Sequence, residues 1–488
     1  MMEQMKIPRI LLAAGASGSG KTLITCGILQ ALLKRGLTPV SFKCGPDYID
    51  PMFHTTVLGT RSRNLDTFFT EEQMTRYLFA RNAYGADLAV IEGVMGYYDG
   101  LGGISERASA YDVAGVTDTP VVLIVNCKGM SLSVIPYIKG FLTYRKDSRI
   151  RGVILNRLAP ALYPQISERI RTELGIVPLG YVPEIRDLSL ESRHLGLVMP
   201  DEIEGIREKL DRLADTLEGS LDLDAMIALA GEAPDLEWDE PFSRREAVTQ
   251  ALETCRKSVV AVARDEAFCF TYEDNRDLLR DMGAKIRFFS PVHDAHLPAC
   301  DGLILSGGYP ELYLKEISEN ESMREEIRLA VAERKLPCMA ECGGFMYLQQ
   351  EMEDMEGTVR PTAGVLPGSA FRTQKLTRFG YIELTVNDRR LPDEEKQDGT
   401  EKSPALLNAD IGKIRAHEFH YFDTTQNGNA FHASKPLSKR GWDCICMTEN
   451  LLAGFPHLYY HSNPQVALRF LKACSDHTLY SPDRSNKL

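Results

Sequence analysis

Short apolar runs at residues 10–14, 40–44, 88–92, 121–126 and 153–156 punctuate the first two hundred residues, with helix-length segments between them. The runs are rich in Val, Ile and Leu and lack polar alternation, the pattern of strands buried on both faces of a parallel sheet. They predict a doubly wound α/β domain with helices on both sides. After the first run, Ile24, Ile28, Leu29, Leu32 and Leu33 repeat at helical spacing and Gly36 stands as a stop, which predicts a helix. The strand pattern returns at residues 258–263, 285–289, 302–305 and 336–340 and predicts a second parallel-sheet α/β domain. In between, Ile203, Ile206, Leu210, Leu213 and Leu217 form an amphipathic helical stripe, followed by an acidic, proline-bearing stretch at 232–241. The organisation expected is a domain at 1–200, a helical and acidic linker at 201–257, a second domain at 258–470 and a tail at 471–488. Residues 391–403 are charged and nearly free of apolar side chains, as in a loop insertion or a disordered segment. The end of the chain, from residue 475, reads as a loose tail.

The chain has 488 residues, enough for two or three domains, with a hydrophobic content of 44% and a charged content of 25% that fit a soluble globular protein. A net charge of −12 argues against a nucleic-acid partner, which needs a basic face. A small anionic ligand, which needs only a local basic pocket, stays open. No apolar run reaches membrane-spanning length, and residues 1–9 lack the apolar region of a signal peptide. Eleven dispersed cysteines without a C-x-x-C pair fit reduced thiols in the cytoplasm, most of them small core residues.

The first run opens into Gly15-Ala16-Ser17-Gly18-Ser19-Gly20-Lys21-Thr22, a complete G-x-x-x-x-G-K-T between a strand and a helix. Backbone N–H groups of Gly15, Ser17, Gly18, Ser19 and Gly20 can turn onto a phosphate, and the helix N-terminus adds partial positive charge. Lys21 would reach the β- and γ-phosphates of ATP, and the Thr22 hydroxyl would ligate Mg²⁺. The second and third runs end in Lys43-Cys-Gly-Pro-Asp47-Tyr48-Ile49-Asp50-Pro51 and Glu92-Gly-Val-Met-Gly-Tyr-Tyr-Asp99-Gly100. Ligands of such sheets sit at the carboxyl ends of the strands. Asp47 and Glu92 are therefore candidate Mg²⁺ partners of Thr22, since a hard cation takes oxygen ligands; ordinary turn chemistry is the alternative. Asn156, at the end of the fifth run, could read an adenine edge or cap a helix. Arg63, in Ser62-Arg-Asn-Leu-Asp66, and Arg193, in Glu191-Ser-Arg-His-Leu-Gly196, lie in basic-containing loops and could grip ligand carboxylates or simply be solvated.

In the second half, an apolar strand runs into Ala340-Glu341-Cys342-Gly343-Gly344 and a helix-like segment. A cysteine flanked by small residues at a strand-to-helix turn is a nucleophile elbow, placed where a helix N-terminus lowers a thiol pKa. Ala340 stands where the elbow pattern has its first glycine. Gly308, in Ser306-Gly-Gly-Tyr-Pro-Glu311, and Gly343 could supply oxyanion-binding N–H groups. A base is required, and the clusters His417-Glu-Phe-His420 and His457-Leu-Tyr-Tyr-His461 both offer one.

Taken together, these segments and Arg193-His-Leu-Gly-Leu197 resemble the cobyrinic acid a,c-diamide synthases, a family of cobyrinate/cobyrate-type glutamine amidotransferases of corrinoid biosynthesis, over roughly residues 8–470. The resemblance implies an N-terminal synthetase domain similar to dethiobiotin synthetase and a class I glutaminase domain. It implies Cys342 as the nucleophile and His457 as the histidine that activates it. Tyr459 stands two residues on, so the carboxylate of the usual triad is not there. Tyr48, Ile49, Asp99, Arg63 and Arg193 then fall in the synthetase site and become candidate contacts for a tetrapyrrole polycarboxylate. The implied reaction is amidation of the a and c side chains, using ATP, Mg²⁺ and L-glutamine, through an acyl phosphate. The implied setting is cytoplasmic, with no membrane or nucleic-acid partner and a homodimer as a candidate assembly. Rival readings are the same amidation of hydrogenobyrinic acid or nickel sirohydrochlorin, a cobyric acid synthase and, in a different class, a partitioning-type P-loop ATPase, which would have no use for Cys342.

Overall fold

Strands with no exposed face need helices above and below them. In the computed structural model the first unit, Met1–Pro241, meets that need around a seven-stranded, all-parallel sheet. Its strands are β1 (Arg9–Ala14), β2 (Pro39–Cys44), β3 (Ser62–Leu65), β4 (Leu88–Glu92), β5 (Val121–Asn126), β6 (Ile150–Asn156) and β7 (Val177–Val182). Their order is β3-β2-β4-β1-β5-β6-β7. The structure describes residues 3–184, 192–193, 196–197, 205–387, 406–407, 409–477 and 479–481. The stretch 391–403, the residues after 481 and the loop residues Glu191, His194 and Leu195 lie outside them.

Every residue of β1, β2 and β4 is buried. Leu11 and Ala13 of β1 join one core cluster with Phe79, Val113 and Ile138, which come from the helices Glu72–Ala83, Ala110–Val116 and Val134–Tyr144. Since side chains alternate along a strand, Ile10 and Leu12 face the other side. There the helix α1 (Lys21–Lys34) packs on a helix at Ile206–Glu218 whose stripe Leu210, Leu213, Ala214 and Leu217 is buried. The acidic stretch near residue 236 is also tied to this unit, because Leu236–Trp238 pairs antiparallel with Glu3–Met5. Two strands lie beyond the apolar runs. Ser62–Leu65, a loop by its polar composition, is the edge strand β3, and β7 closes the opposite edge.

The second unit, Phe242–Leu488, holds a six-stranded sheet. Four of its strands are β8 (Val259–Ala263), β9 (Lys285–Phe289), β10 (Gly302–Leu305) and β11 (Cys338–Glu341), in the order β9-β8-β10-β11. Leu451–Gly454 follows in parallel, and Cys446–Met447 closes the edge antiparallel. Beside it is a five-stranded antiparallel sheet in the order Gly441–Cys444, Phe431–Ser434, Arg378–Val386, Ile414–His420, His457–Leu458. One face of it is apolar, with Ile382, Leu384, Ile414 and Ala416 all buried in the same cluster. This sheet adds an antiparallel layer to the parallel pattern read from the sequence.

Close packing between α1 and the helix Ile206–Glu218 depends on Gly27. A Cβ there would lie 2.5 Å from Leu217 Cδ1 and 2.8 Å from Leu213 Cγ. Gly27→Val should therefore destabilise the first unit by about 1–3 kcal/mol, the usual cost of overpacking. Urea unfolding of the two proteins checks this, with a midpoint equal to wild type as the contrary result.

Candidate active sites

In the first unit, β1 ends at Ala14 and the chain turns through residues 15–20 into α1. Gly20 caps the helix at φ 91°, a left-handed conformation that glycine adopts without strain. The turn is braced from within and from the sheet. Ser19 Oγ donates to the Ala16 carbonyl at 2.9 Å, and Asn156 Nδ2, at the end of β6, donates to the Ser19 carbonyl at 2.8 Å. The Asn156 amide is thus engaged with the loop backbone. Ser17 and Gly18 are exposed at the tip, and a Cβ on Gly15 would lie 1.9 Å from the Tyr137 hydroxyl.

Lys21 Nζ donates to the Met95 carbonyl at 2.5 Å. Burial, and next the Lys43 charge, push its pKa down to about 8. Thr22 Oγ1 donates to Glu92 Oε1 at 2.7 Å and lies 3.4 Å from Asp50 Oδ2. Lys43 Nζ bonds the same Glu92 Oε1 at 2.7 Å and pairs with Asp50. Asp50 belongs to a helix at Ile49–Thr56. Four strand and helix ends therefore meet at Thr22, Lys43, Asp50 and Glu92. Burial works against the Lys43 ammonium, but Asp50 and Glu92 hold its pKa well above the ordinary value. Burial raises Glu92; Asp50, although buried, is held below its usual range by Lys43. His54 is buried behind them, pushed down to about 4 by burial, with Nε2 3.8 Å from Glu92 Oε2.

Asp47 sits differently. Its Oδ1 accepts the backbone N–H of Ile49 at 2.8 Å and of Asp50 at 3.4 Å, so it caps the helix Ile49–Thr56. Burial, then the Asp50 charge, raises it to about 7. The carboxylate that reaches Thr22 alongside Glu92 is that of Asp50. Tyr48 and Ile49 are buried at the same helix start. Arg63 is half-buried on β3 and donates from Nη1 to the Ser62 carbonyl, while Asp99 is exposed and accepts the Gly96 N–H at 2.9 Å. The backbone of Arg193 pairs with Gly196, and its side chain lies outside the described residues. Among the described residues no three His, Cys, Asp or Glu side chains converge as a metal cluster. The oxygens of Thr22, Asp50 and Glu92 nevertheless suit a hard cation that draws its other ligands from phosphates, and Glu92 Oε2 is buried without a hydrogen-bond partner.

In the second unit, β11 leads into Cys342 at φ 47°, ψ −105°, and then into a short helix at Gly343–Tyr347. A left-handed φ at a non-glycine residue is strained, of order 1–3 kcal/mol. The Cys342 N–H holds the Gly454 carbonyl of the adjacent strand at 2.8 Å. Burial raises the thiol pKa, the nearby Glu311 charge raises it further, and the Gly343 N–H opposes both. His457 follows that adjacent strand and is buried. A Cβ on Gly307 would lie 2.5 Å from His457 Cε1, so a glycine is what admits the ring. Gly308 has φ 154°, which favours glycine, and its backbone N lies 3.1 Å from where a Cβ on Gly343 would be. Cys342, His457, Gly308 and Gly343 are thus brought to the carboxyl end of the sheet's interior strands.

The other histidines have their own partners. His417 stacks on His457 with centroids 4.9 Å apart, and its Nδ1 lies 3.1 Å from the Tyr272 hydroxyl. His420 stacks on Phe455, and His461 Nε2 meets the Asp274 carbonyl at 3.1 Å.

Residues 10–198 match the family model described as a CobQ/CobB/MinD/ParA nucleotide binding domain, and residues 259–465 match the CobB/CobQ-like glutamine amidotransferase domain. The chain is 37% identical over 473 residues to cobyrinate a,c-diamide synthase of Caldanaerobacter subterraneus subsp. tengcongensis, covering 96% of this chain and 98% of that one. The chain belongs to the cobyrinate a,c-diamide synthase family. It is 36% identical to the enzymes of that name from Listeria innocua (95% of this chain, 99% of that one) and Salmonella typhimurium (95% and 97%). As a member of this family it is a glutamine-dependent amidotransferase of the ligase class, built from a P-loop nucleotide-binding domain and a glutamine amidotransferase domain. No helix among the described residues is long and apolar enough to cross a membrane.

Sequence reasoning gave no site role to Lys43 or His54, and ranked Asp50 behind Asp47 as a partner of Thr22, whereas Asp50 is the one that reaches it. A signal for Lys43 existed, since it is the one charged residue of the run 40–44. Lys43→Met would leave two buried carboxylates without their cation and should cost about 3–5 kcal/mol, read as a lowered denaturant midpoint. Unchanged stability would contradict the ion pairing.

Glu311 yields a pH prediction. Burial raises its folded pKa to about 7, with Oε2 buried and lacking a partner. The folded state then binds a proton that the unfolded chain has released, so this contribution falls as pH rises from about 4.5 through about 7. Glu311→Gln should reduce the loss of urea midpoint across that window; an identical slope in wild type and variant is the opposing result.

Proposed function

We propose that this protein is an ATP- and glutamine-dependent synthase that amidates the a and c side-chain carboxylates of cobyrinic acid, in the cytoplasm, as a step of corrinoid biosynthesis. One observation carries the reading. A single chain holds both a phosphate loop backed by the Thr22–Glu92–Lys43–Asp50 cluster and a strained cysteine and a buried histidine that follow two adjacent strands. The first suits activation of a carboxylate, and the second suits release of ammonia from glutamine.

In the glutaminase site the Cys342 thiol gives its proton to His457, and its sulfur attacks the side-chain amide carbon of glutamine. The backbone N–H groups of Gly308 and Gly343 take the negative charge that develops on the amide oxygen. The imidazolium returns the proton to the departing nitrogen, ammonia leaves, and water then releases glutamate from the thioester. In the synthetase site the amides of residues 15–20 and Lys21 hold the ATP phosphates while a substrate carboxylate oxygen attacks the γ-phosphorus. A free carboxylate resists attack by ammonia, whereas an acyl phosphate accepts it and expels phosphate. Magnesium, held by Thr22 and Glu92 with Asp50 or Asp47, would neutralise phosphate charge there. Asn156 acts by bracing the loop, and Arg63 and Arg193 are candidate partners for the remaining carboxylates of the macrocycle.

Cys342→Ala should lower glutamine-dependent amidation by about 10³-fold or more while leaving ammonia-dependent amidation near wild type. Lys21→Ala should abolish both. Persistence of glutamine-dependent turnover in Cys342→Ala would overturn the glutaminase assignment. The assay is run side by side on cobyrinic acid, hydrogenobyrinic acid and nickel sirohydrochlorin. The highest kcat/KM is expected on cobyrinic acid, and a preference for either of the others would overturn that substrate.

A further inference from the structure

The histidine of a thiol–imidazole pair works when its far nitrogen is held by an acceptor, which fixes the tautomer and stabilises the imidazolium that forms. Two residues past His457 the side chain is a tyrosine, and its hydroxyl is committed to Asp274 Oδ2 at 3.0 Å. A carboxylate does reach the ring, from the nucleophile's own strand. Glu341 Oε2 lies 3.7 Å from His457 Nδ1, and Glu341 Oε1 accepts the backbone N–H of Leu458 at 3.3 Å. One carboxylate therefore spans the imidazole and the peptide unit that follows it.

The local fold explains this reach. β11 runs beside Leu451–Gly454 with Glu341 in register with Gly454, so the last residue of one strand adjoins the turn that delivers His457. Three further contacts confine the ring. Gly307 admits Cε1, His417 stacks on one face, and the strand pairing sets His457 opposite His417. His417 is held neutral by burial, and next by His457, so it offers a flat polarisable face and no competing charge. The other acidic groups whose charge is felt at Cys342 are Glu311 and Glu418. Of these three carboxylates, Glu341 is the one in an ion-pair contact with His457.

We propose that Glu341 is the positioning residue of the glutaminase, holding His457 Nδ1–H so that Nε2 receives the Cys342 proton. The inference rests on the reading of Cys342 and His457 given under the proposed function. At 3.7 Å the contact is longer than a hydrogen bond, and catalytic hydrogen bonds that are long in the free enzyme tighten when substrate binds. The proton moves from Sγ to Nε2 and then to the leaving nitrogen, and the Glu341 carboxylate keeps its charge throughout while Nδ1 keeps its proton. Glu341 thus does the work of an orienting carboxylate although it stands one residue before the nucleophile rather than two residues after the histidine.

The test uses the full-length enzyme and Glu341→Gln, which keeps an oxygen for the Leu458 N–H and removes the charge. Glutamine-dependent kcat should fall by about 10²–10⁴-fold with the glutamine KM little changed, as expected for loss of the orienting carboxylate of such a relay. The pH at which iodoacetamide begins to alkylate Cys342 should rise, because proton transfer from the thiol to His457 becomes less favourable without the Glu341 charge. Glu341→Asp should recover part of the rate, and ammonia-dependent amidation should stay at the wild-type level in both variants. A wild-type alkylation profile and kcat in Glu341→Gln overturn the proposal, as does an equal loss of glutamine- and ammonia-dependent turnover, which marks a merely structural residue. Cys342→Ala run in parallel separates the two failures. If it retains glutaminase activity the parent reading falls; if it is inactive while Glu341→Gln is not, only the role of Glu341 falls.

Discussion

A strand covered on both faces has no flank on which to be polar, so its chemistry is confined to its ends. That constraint governs both units. In the first, the penultimate residue of β2 is Lys43 and the last residue of β4 is Glu92, and the parallel register sets those two directly side by side. The same register sets Glu92 beside Leu12, two residues before β1 turns into the phosphate loop. In the second unit, register places Glu341 beside Gly454, and the chain beyond these two strand ends carries Cys342 and His457. Neighbouring residues of each site are thus distant in sequence yet fixed by sheet pairing rather than by loop conformation.

Confinement creates an electrostatic cost that each unit meets in its own way. Three charged groups at the end of the first sheet are almost fully buried, and an isolated buried charge would be expelled or neutralised. Lys43 is retained because two carboxylates face it, and those carboxylates are tolerable because Lys43 and the Thr22 hydroxyl face them. The capping role of Asp47 belongs to the same arrangement. It satisfies the first N–H groups of the helix that carries Asp50, and so aims Asp50 at Lys43. In the second unit the stored cost is conformational, in the left-handed backbone of Cys342.

How much of this was legible depended on whether the signal was local. The phosphate loop, the buried strands from 10–14 to 153–156 and the amphipathic stripe at Leu210, Leu213 and Leu217 each carry their information in consecutive or regularly spaced residues, and all appear in the structure. The elbow at Cys342 was legible for the same reason. Ser62–Leu65 was not, because an edge strand needs no apolar run, and its place is set by pairing with β2. The antiparallel sheet around Ile414–His420 escaped because its strands are joined across long separations, down to His457–Leu458. The contact between Thr22 and Asp50 was hidden by a turn of helix. Asp47 and Asp50 are both acids at a strand end, and only the capping geometry sends one inward to the lysine and the other back to its own backbone.

The two sites follow opposite electrostatic logic, and their proposed tasks account for it. A site that binds a polyanion profits from charge in place beforehand, since preorganised cations need no rearrangement when the phosphates arrive. Lys21 and Lys43 supply it, and Glu92 and Asp50 keep it from dispersing into solvent. A site that cleaves an amide with a thiol profits from remaining neutral at rest, because a standing thiolate invites oxidation. Burial and the Glu311 charge keep the Cys342 thiol protonated, and burial keeps His417 neutral beside His457. In the proposed reaction, charge separation there would be created only with substrate bound, when the N–H groups of Gly308 and Gly343 polarise the amide carbonyl toward the sulfur. On that view the strain at Cys342 and the carboxylate at Glu341 serve one end. Each lowers the cost of a charge pair that exists only while glutamine is being opened.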